Sequence, residues 1–222
     1  GCENSPLFLM IIKKEKNKLT VKGDFFSAEQ ILSSGQVFRF YPYMQGYLLF
    51  AGGHIAYLRQ SGDETVIECS DEDYFYNYFD LCTDYRKIIE EIKKYPFMHD
   101  ALKAGRGIRI LRQERLETLI SFIISANNNI KRISNIIQNI CRELGEEKEF
   151  NGIRYNAFPD LPQLSTADTK FFLNAGAGYR AAYLTKTISA LNGGFDLDSV
   201  AEMDLSEARK SLMSLTGAGR KV

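Results

Sequence analysis

The spacing of apolar residues changes period once along the chain. Before about Asp80 they alternate with polar residues at period two, the spacing that turns one face of a strand toward a core. Lys18–Val21 (KLTV) and Val37–Tyr41 (VFRFY) are expected strands, separated by a short helix, SAEQIL, that ends at Ser33-Ser34-Gly35. Tyr47–Ala51 and His54–Gln60 flank Gly52-Gly53, a pair that tolerates the positive φ angles of a tight hairpin turn. A second turn at SGDE leads into TVIEC, so at least four antiparallel strands are predicted.

After Asp80 the period is that of a helix. YRKIIEEIKKY is amphipathic. Leu116, Leu119, Ile120, Ile123 and Ile124 form one stripe; Ile130, Ile133, Ile137, Ile140 and Leu144 form another, closed by Gly145 as a C-terminal cap. EEKEFNGIRYNAFPDLP, with its glycine and two prolines, is expected to be a loop. Ser165 and Asp168 resemble a capping box, YRAAYLTKTISALNGG is a further helix, and Asp204 caps a last one, DLSEARKSLMSL. The prediction is an α+β fold: an antiparallel β-sheet domain over residues 1–82 and a helical domain over residues 83–222.

Composition narrows the class without naming a function. The chain is 45% hydrophobic and 25% charged, as soluble globular proteins are. It holds no apolar run of the roughly 18 residues a membrane span needs and no basic leader before an apolar core, so an intracellular protein with no membrane partner is expected. Cys2, Cys69, Cys82 and Cys141 are too scattered for a zinc ribbon and are expected to be reduced thiols; with His54 and His99 the only histidines, no metal site is predicted from side chains. Net charge is zero, and from Gly105 onward 16 Lys and Arg face 13 Asp and Glu, a surplus too small to argue for nucleic acid. Any such case rests on local arrangement.

Three helix junctions supply one. In Thr216-Gly217-Ala218-Gly219, followed by Arg220-Lys221, a glycine-bracketed turn leaves backbone N–H groups at a helix start, where they suit a phosphate oxygen. In SANNNIKRI, three asparagines stand where one would cap the helix, and two spare carboxamides can bond bases or phosphates. In NAGAGYRAAYL, Tyr179 and Arg180 open a helix after a glycine-rich turn and could stack on a base and meet a phosphate. Each has an ordinary alternative: a helix–helix turn, a redundant cap, a core tyrosine beside a paired arginine. Taken as a set, nucleic-acid backbone binding accounts for them better.

These stretches resemble the 8-oxoguanine DNA glycosylase family, within the helix–hairpin–helix glycosylase superfamily. LSSGQVFRFYPY is similar to the family's Gly-Gln-Ser-Phe-Arg-Trp segment, GIRILRQERLETLISFIISANNNIKRI to its Arg-Gln-Asp and Ser-Asn-Asn-Asn region, FNGIRYNAFPDLPQLS to the loop before its Gly-Tyr-Arg turn, and LTGAGRKV to its Leu-Pro-Gly-Val-Gly-x-Lys-Val hairpin. The likeness runs from about Gly35 to Val222. It implies a sheet domain like half of a TATA-binding protein before the helical domain, and a monomer acting on double-stranded DNA that contains 8-oxoguanine. It implies a bifunctional glycosylase and lyase in which Lys221 is the nucleophile, with no cofactor required and room for a structural cation at the hairpin.

Carried over residue by residue, the resemblance puts the Gly35 carbonyl against the N7–H that 8-oxoguanine has and guanine lacks, and Phe122 in the base pocket. Asn127 fills the gap left by the flipped base, with Asn128 and Asn129 beside it at the DNA. Arg132 and Arg180 read the estranged cytosine, Tyr179 is the wedge, and Gly217, Gly219 and the Val222 amide meet phosphate. Val37, Phe40 and Thr216 depart from the family's Ser, Trp and Pro. The family's catalytic aspartate belongs further on, so the sequence is expected to be a piece of a longer chain. Two other readings remain: an alkylbase glycosylase of the same superfamily, against which Lys221 argues, and a DNA-backbone-binding module without activity, which has no need of Gly35 or the asparagine corner.

Overall fold

The computed structural model describes residues 10–219. They fall into two compact units, one running through Phe50 and from His54 to Arg112, the other made of Ala51–Gly53 and the chain from Gln113 on. In the first unit, β1 (Ile11–Glu15) and β2 (Lys18–Lys22) precede α1 (Ala28–Ser33). Then come β3 (Phe40–Tyr43), β4 (Gly46–Ala51), β5 (His54–Ser61) and β6 (Glu64–Cys69), followed by α2 (Glu72–Tyr78), α3 (Tyr85–Ile92) and α4 (His99–Ala104). The strands form one antiparallel sheet in the order β1-β2-β6-β5-β4-β3. Leu19, Leu49, Ile55, Leu58 and Ile67 are buried with Ile31 and Leu32 of α1 and Phe75 of α2, the period-two and helical stripes the sequence carries.

Two strand expectations change. β1, IIKKE, lacks alternation because it lies at a sheet edge with most residues exposed, where lysines discourage further pairing. β3 starts at Phe40 rather than Val37 and runs on through Pro42, a residue tolerated because β3 is the other edge.

The first unit is tied together by a buried arginine. Arg109 has no exposed surface and lies in the irregular stretch after α4. Its Nε donates to the Phe79 carbonyl at 2.8 Å, Nη1 to Phe25 at 3.1 Å, and Nη2 to Thr83 at 3.1 Å and to Asp80. The guanidinium also lies 4.0 Å from the Tyr85 ring centroid. Burial pushes its pKa below the usual range, opposed by the charges of Tyr85 and Asp80. Asp80 in turn accepts from Thr83 Oγ1 at 2.9 Å and from Arg112 Nε at 2.7 Å. Four carbonyls, three from the turn after α2 and one from the segment before α1, thus share one donor group.

The second unit contains α5 (Arg115–Ser125), α6 (Ile130–Leu144), β7 (Glu147–Phe150), β8 (Ile153–Asn156), α7 (Leu161–Ser165), α8 (Thr169–Asn174), α9 (Arg180–Asn192), α10 (Leu197–Val200) and α11 (Leu205–Met213). Helix α9 packs against α5, α7 and α8. Its Ala181, Leu184 and Ile188 are buried, as are Ile120, Ile123 and Ile124 of α5 and Ile133, Ile137 and Ile140 of α6. Ile130, counted in the α6 stripe, is 57% exposed because it is the first residue of the helix.

The expected loop after α6 is a β-hairpin, β7 pairing with β8 around Asn151-Gly152 at φ 49° and 77°. An Asn-Gly pair favours a type I′ turn, and that local chemistry outweighs the charged, non-alternating strands beside it. Asp168 alone caps α8, accepting from the Phe171 N–H at 2.7 Å, whereas Ser165 ends α7; the reciprocal capping box is Asp160 with Gln163. Cys69 and Cys141 are free and buried, and burial pushes the Cys69 thiol up to about 12. Cys82 is disulfide-bonded, unlike the four reduced thiols expected.

Removing a buried charged donor strands its acceptors, so Arg109→Met is expected to lower stability by about 3–5 kcal/mol. Urea unfolding followed by circular dichroism measures it; a loss under about 1 kcal/mol contradicts the role given to the arginine.

Candidate functional site

Two helix starts in the second unit hold each other. Helix α5 ends at Ser125, and Ala126, Asn127, Asn128 and Asn129 make the corner into α6. The three asparagines do different work. Asn129 is the N-cap, its Oδ1 accepting from the Arg132 N–H at 2.9 Å. Asn128 donates Nδ2 to the last turn of α5, at the Ile124 carbonyl, and accepts from the Asn129 N–H, both at 3.0 Å. Asn127 is exposed, in the left-handed region at φ 48°, and its carboxamide bonds to no described residue. Asparagine tolerates that conformation better than most side chains.

The other start is the turn Ala175–Tyr179 into α9. Arg180 is 3% exposed. Its Nε donates to the Ala126 carbonyl at 2.7 Å, Nη2 to Asn127 at 2.7 Å and to Ala126, and Nη1 to Ala177 at 3.3 Å. From the opposite side, Arg132 Nη2 reaches the Gly176 carbonyl at 3.3 Å, and Asn139, two turns further along α6, donates to Ala175 at 3.1 Å. Each corner's carbonyls are therefore held by the other's side chains. Arg180 pairs with carbonyls rather than with a carboxylate. Carbonyls occupy its donors in this arrangement. Arg132 is exposed, and so is Tyr179 at 54%, its ring 4.4 Å from the Arg180 guanidinium and its hydroxyl donating to Ala126.

The third junction sits against the same helix. Gly217 has φ 90°, which favours glycine, and a Cβ there would come within 2.8 Å of Tyr183. Thr187, buried one turn further along α9, donates Oγ1 to the Thr216 carbonyl at 2.8 Å. Gly219 is exposed, with open space where a side chain would be. Tyr179 and Tyr183 meet edge to face, 5.7 Å apart, so one stripe of α9 runs from the asparagine corner to the glycine turn. Sequence reasoning missed Tyr183, Thr187 and Asn139; a buried threonine between Leu184 and Ile188 was the signal for one of them. Phe122 is half-buried on α5. Lys221 and Val222 lie outside the described residues.

Gly35 belongs to the first unit, where it follows α1 at φ 83° and is half-buried. Its carbonyl accepts no hydrogen bond from any described residue.

The division of labour among the asparagines is measurable. Asn129→Ala is expected to cost about 1 kcal/mol by removing the cap. Asn127→Gly, which keeps the left-handed backbone accessible, is expected to change stability by less than about 0.5 kcal/mol. Equal losses in thermal melts of the two variants would contradict the assignment.

Residues 18–119 match the family model for the 8-oxoguanine DNA glycosylase N-terminal domain. The chain is 38% identical over 135 residues to the N-glycosylase/DNA lyase OGG1 of Arabidopsis thaliana, covering 59% of this chain and 37% of that one. It is 31% identical over 191 residues to the N-glycosylase/DNA lyase of Saccharomyces cerevisiae, covering 76% of this chain and 51% of that one. The chain thus spans about half or less of these relatives' length. Among solved structures, the Clostridium acetobutylicum 8-oxoguanine glycosylase/lyase, in complex with double-stranded DNA containing cytosine opposite 8-oxoG, superposes with a TM-score of 0.87 at 33% identity, over 94% of this chain and 74% of that one. With a likeness that spans both compact units, the chain belongs to the 8-oxoguanine DNA glycosylase family.

Proposed function

We propose that the protein excises 8-oxoguanine from duplex DNA and then cleaves the strand. What carries the reading is the turn at Thr216–Gly219, a positive-φ glycine packed on Tyr183 immediately ahead of Arg220-Lys221. The amine of Lys221 attacks the sugar C1′ of a flipped nucleotide, and the bond to the base breaks with its electron pair leaving on the base, which takes up a proton. Ring opening and loss of a proton from nitrogen give an imine to the lysine, and removal of a C2′ proton then expels the 3′ phosphate. An amine suits this chemistry because it forms an imine, which a hydroxyl does not. An ordinary lysine, near ~10.4, is mostly protonated at neutral pH, so the site must disfavour its charge.

The remaining roles are those the resemblance to the family implies. Asn127, with its free carboxamide, fills the gap left by the extruded base, and Tyr179 wedges at the kinked step, offsetting the few kcal/mol that unstacking costs. Asn128 and Asn129 shape that corner, and Arg132 reads the estranged cytosine. Arg180 holds the corner and must exchange carbonyls for a base edge to read one. Gly217, Gly219 and the Val222 amide meet phosphate, the Gly35 carbonyl accepts the lesion's N7–H, and Phe122 lines the pocket.

A cation at the hairpin would be held by backbone carbonyls, since no three His, Cys, Asp or Glu side chains come together among the described residues. The carbonyls of Leu215 and Thr216 accept from the Ala218 N–H and from Thr187 Oγ1, and each keeps a second lone pair. Such an ion would neutralise phosphate charge and takes no part in the steps above.

Borohydride reduction on an 8-oxoguanine duplex is expected to trap the protein covalently on DNA, and Lys221→Gln to abolish the adduct. Trapping of the variant at the parent's level would overturn the reading. So would equal affinity for lesion and intact duplexes, the behaviour of a simple backbone-binding module.

A further inference from the structure

Resting on the function proposed above, we infer that Gln36 is a positioning residue for lesion discrimination: its side chain fixes the direction of the Gly35 carbonyl. The difficulty it resolves is physical. Gly35 sits at φ 83°, and a Cβ built there meets nothing within 4 Å. Glycine has no side chain to limit rotation of the peptide plane that carries the carbonyl. A single carbonyl distinguishes two bases that differ by one N–H only if it is already aimed, since a binding group held loosely loses its selectivity.

That peptide plane joins Gly35 to Gln36, and both of its ends are anchored. The Gln36 carboxamide bridges two backbone groups of the irregular stretch after α4: Nε2 donates to the Arg109 carbonyl and Oε1 accepts from the Leu111 N–H, each at 2.9 Å. Nε2 also donates to Ser34 Oγ at 2.9 Å, and that hydroxyl donates to the Ile31 carbonyl at 2.7 Å, which ties the other side of Gly35 to the last turn of α1. The stretch receiving Gln36 is itself held in place by hydrogen bonds. Arg109 is clamped by the carbonyls of Phe25, Phe79, Asp80 and Thr83. Upstream, Gln30 bonds the Gly107 N–H at 2.9 Å and the Ala104 carbonyl at 3.0 Å. The chain of support runs from a buried guanidinium through a backbone segment and one carboxamide to the glycine, and it leaves the Gly35 carbonyl without an internal donor.

The test uses the full-length protein carrying Lys221→Gln, so that duplexes are bound and not cut. Fluorescence anisotropy gives Kd for a duplex with 8-oxoguanine and for the same duplex with guanine, with and without Gln36→Met, which keeps the side chain's length and removes its hydrogen bonds. The ratio of the two constants is expected to fall about tenfold while the guanine duplex stays within about twofold. Gln36→Glu keeps the acceptor for Leu111 and loses both donors, and is expected to lower the ratio by about threefold. An unchanged ratio in a variant that folds by circular dichroism overturns the inference, and so does equal weakening on both duplexes, the mark of a merely structural residue. If Gln36→Met does not fold, Gln36→Glu decides on the same criterion. A parent protein with no preference for the lesion overturns the functional reading, and this inference with it, before Gln36 is changed.

Discussion

A backbone carbonyl sealed away from water without a donor costs about 1–3 kcal/mol, and sharp turns between helices leave several pointing the same way. This chain meets that cost with arginine at both of its critical places. Arg109 collects the carbonyls of Phe25, Phe79, Asp80 and Thr83, and Arg180 those of Ala126, Asn127 and Ala177. A guanidinium suits the task because it offers five donors in one plane, remains charged when buried, and stacks on a tyrosine ring, here Tyr85 or Tyr179. Irregular backbone then has its carbonyls satisfied as a helix does.

The clasp has a functional reading. In the second unit the arginine clasp fixes the asparagine corner and leaves Asn127, Arg132 and Tyr179 at the surface. The same helix that supplies Arg180 carries Tyr183 and Thr187 against the glycine turn. The asparagine corner and the glycine turn are therefore both held by one element, α9, rather than by independent loops. In the first unit the corresponding element is the stretch from Gly107 to Leu111, stitched to α1 by Gln30 and to the segment after it by Gln36.

Much of this was legible in the sequence. The period change near Asp80, the glycine-paired hairpin at Gly52-Gly53 and the stripes of α5 and α6 all follow from spacing that reports which face is buried. Errors fell where local chemistry or an edge outweighed spacing. The Asn151-Gly152 turn formed a hairpin from polar strands, and β1, a lysine-rich edge strand, had no buried face to alternate. The three junctions stood out because their residue types are poor helix formers placed where helices meet.

The sequence by itself determined the fold class and the polar or glycine-rich corners where helices meet, because periodicity, capping residues and glycine-rich turns act over a few residues. Tertiary structure alone decided what each polar residue does. Nothing in SANNNIKRI separates the capping Asn129 from the unoccupied Asn127, and nothing in GYR says that Arg180 turns inward to Ala126, more than fifty residues earlier in the chain. Those assignments depend on which carbonyls lack a donor once distant turns are brought together, a condition that does not exist until the chain has folded.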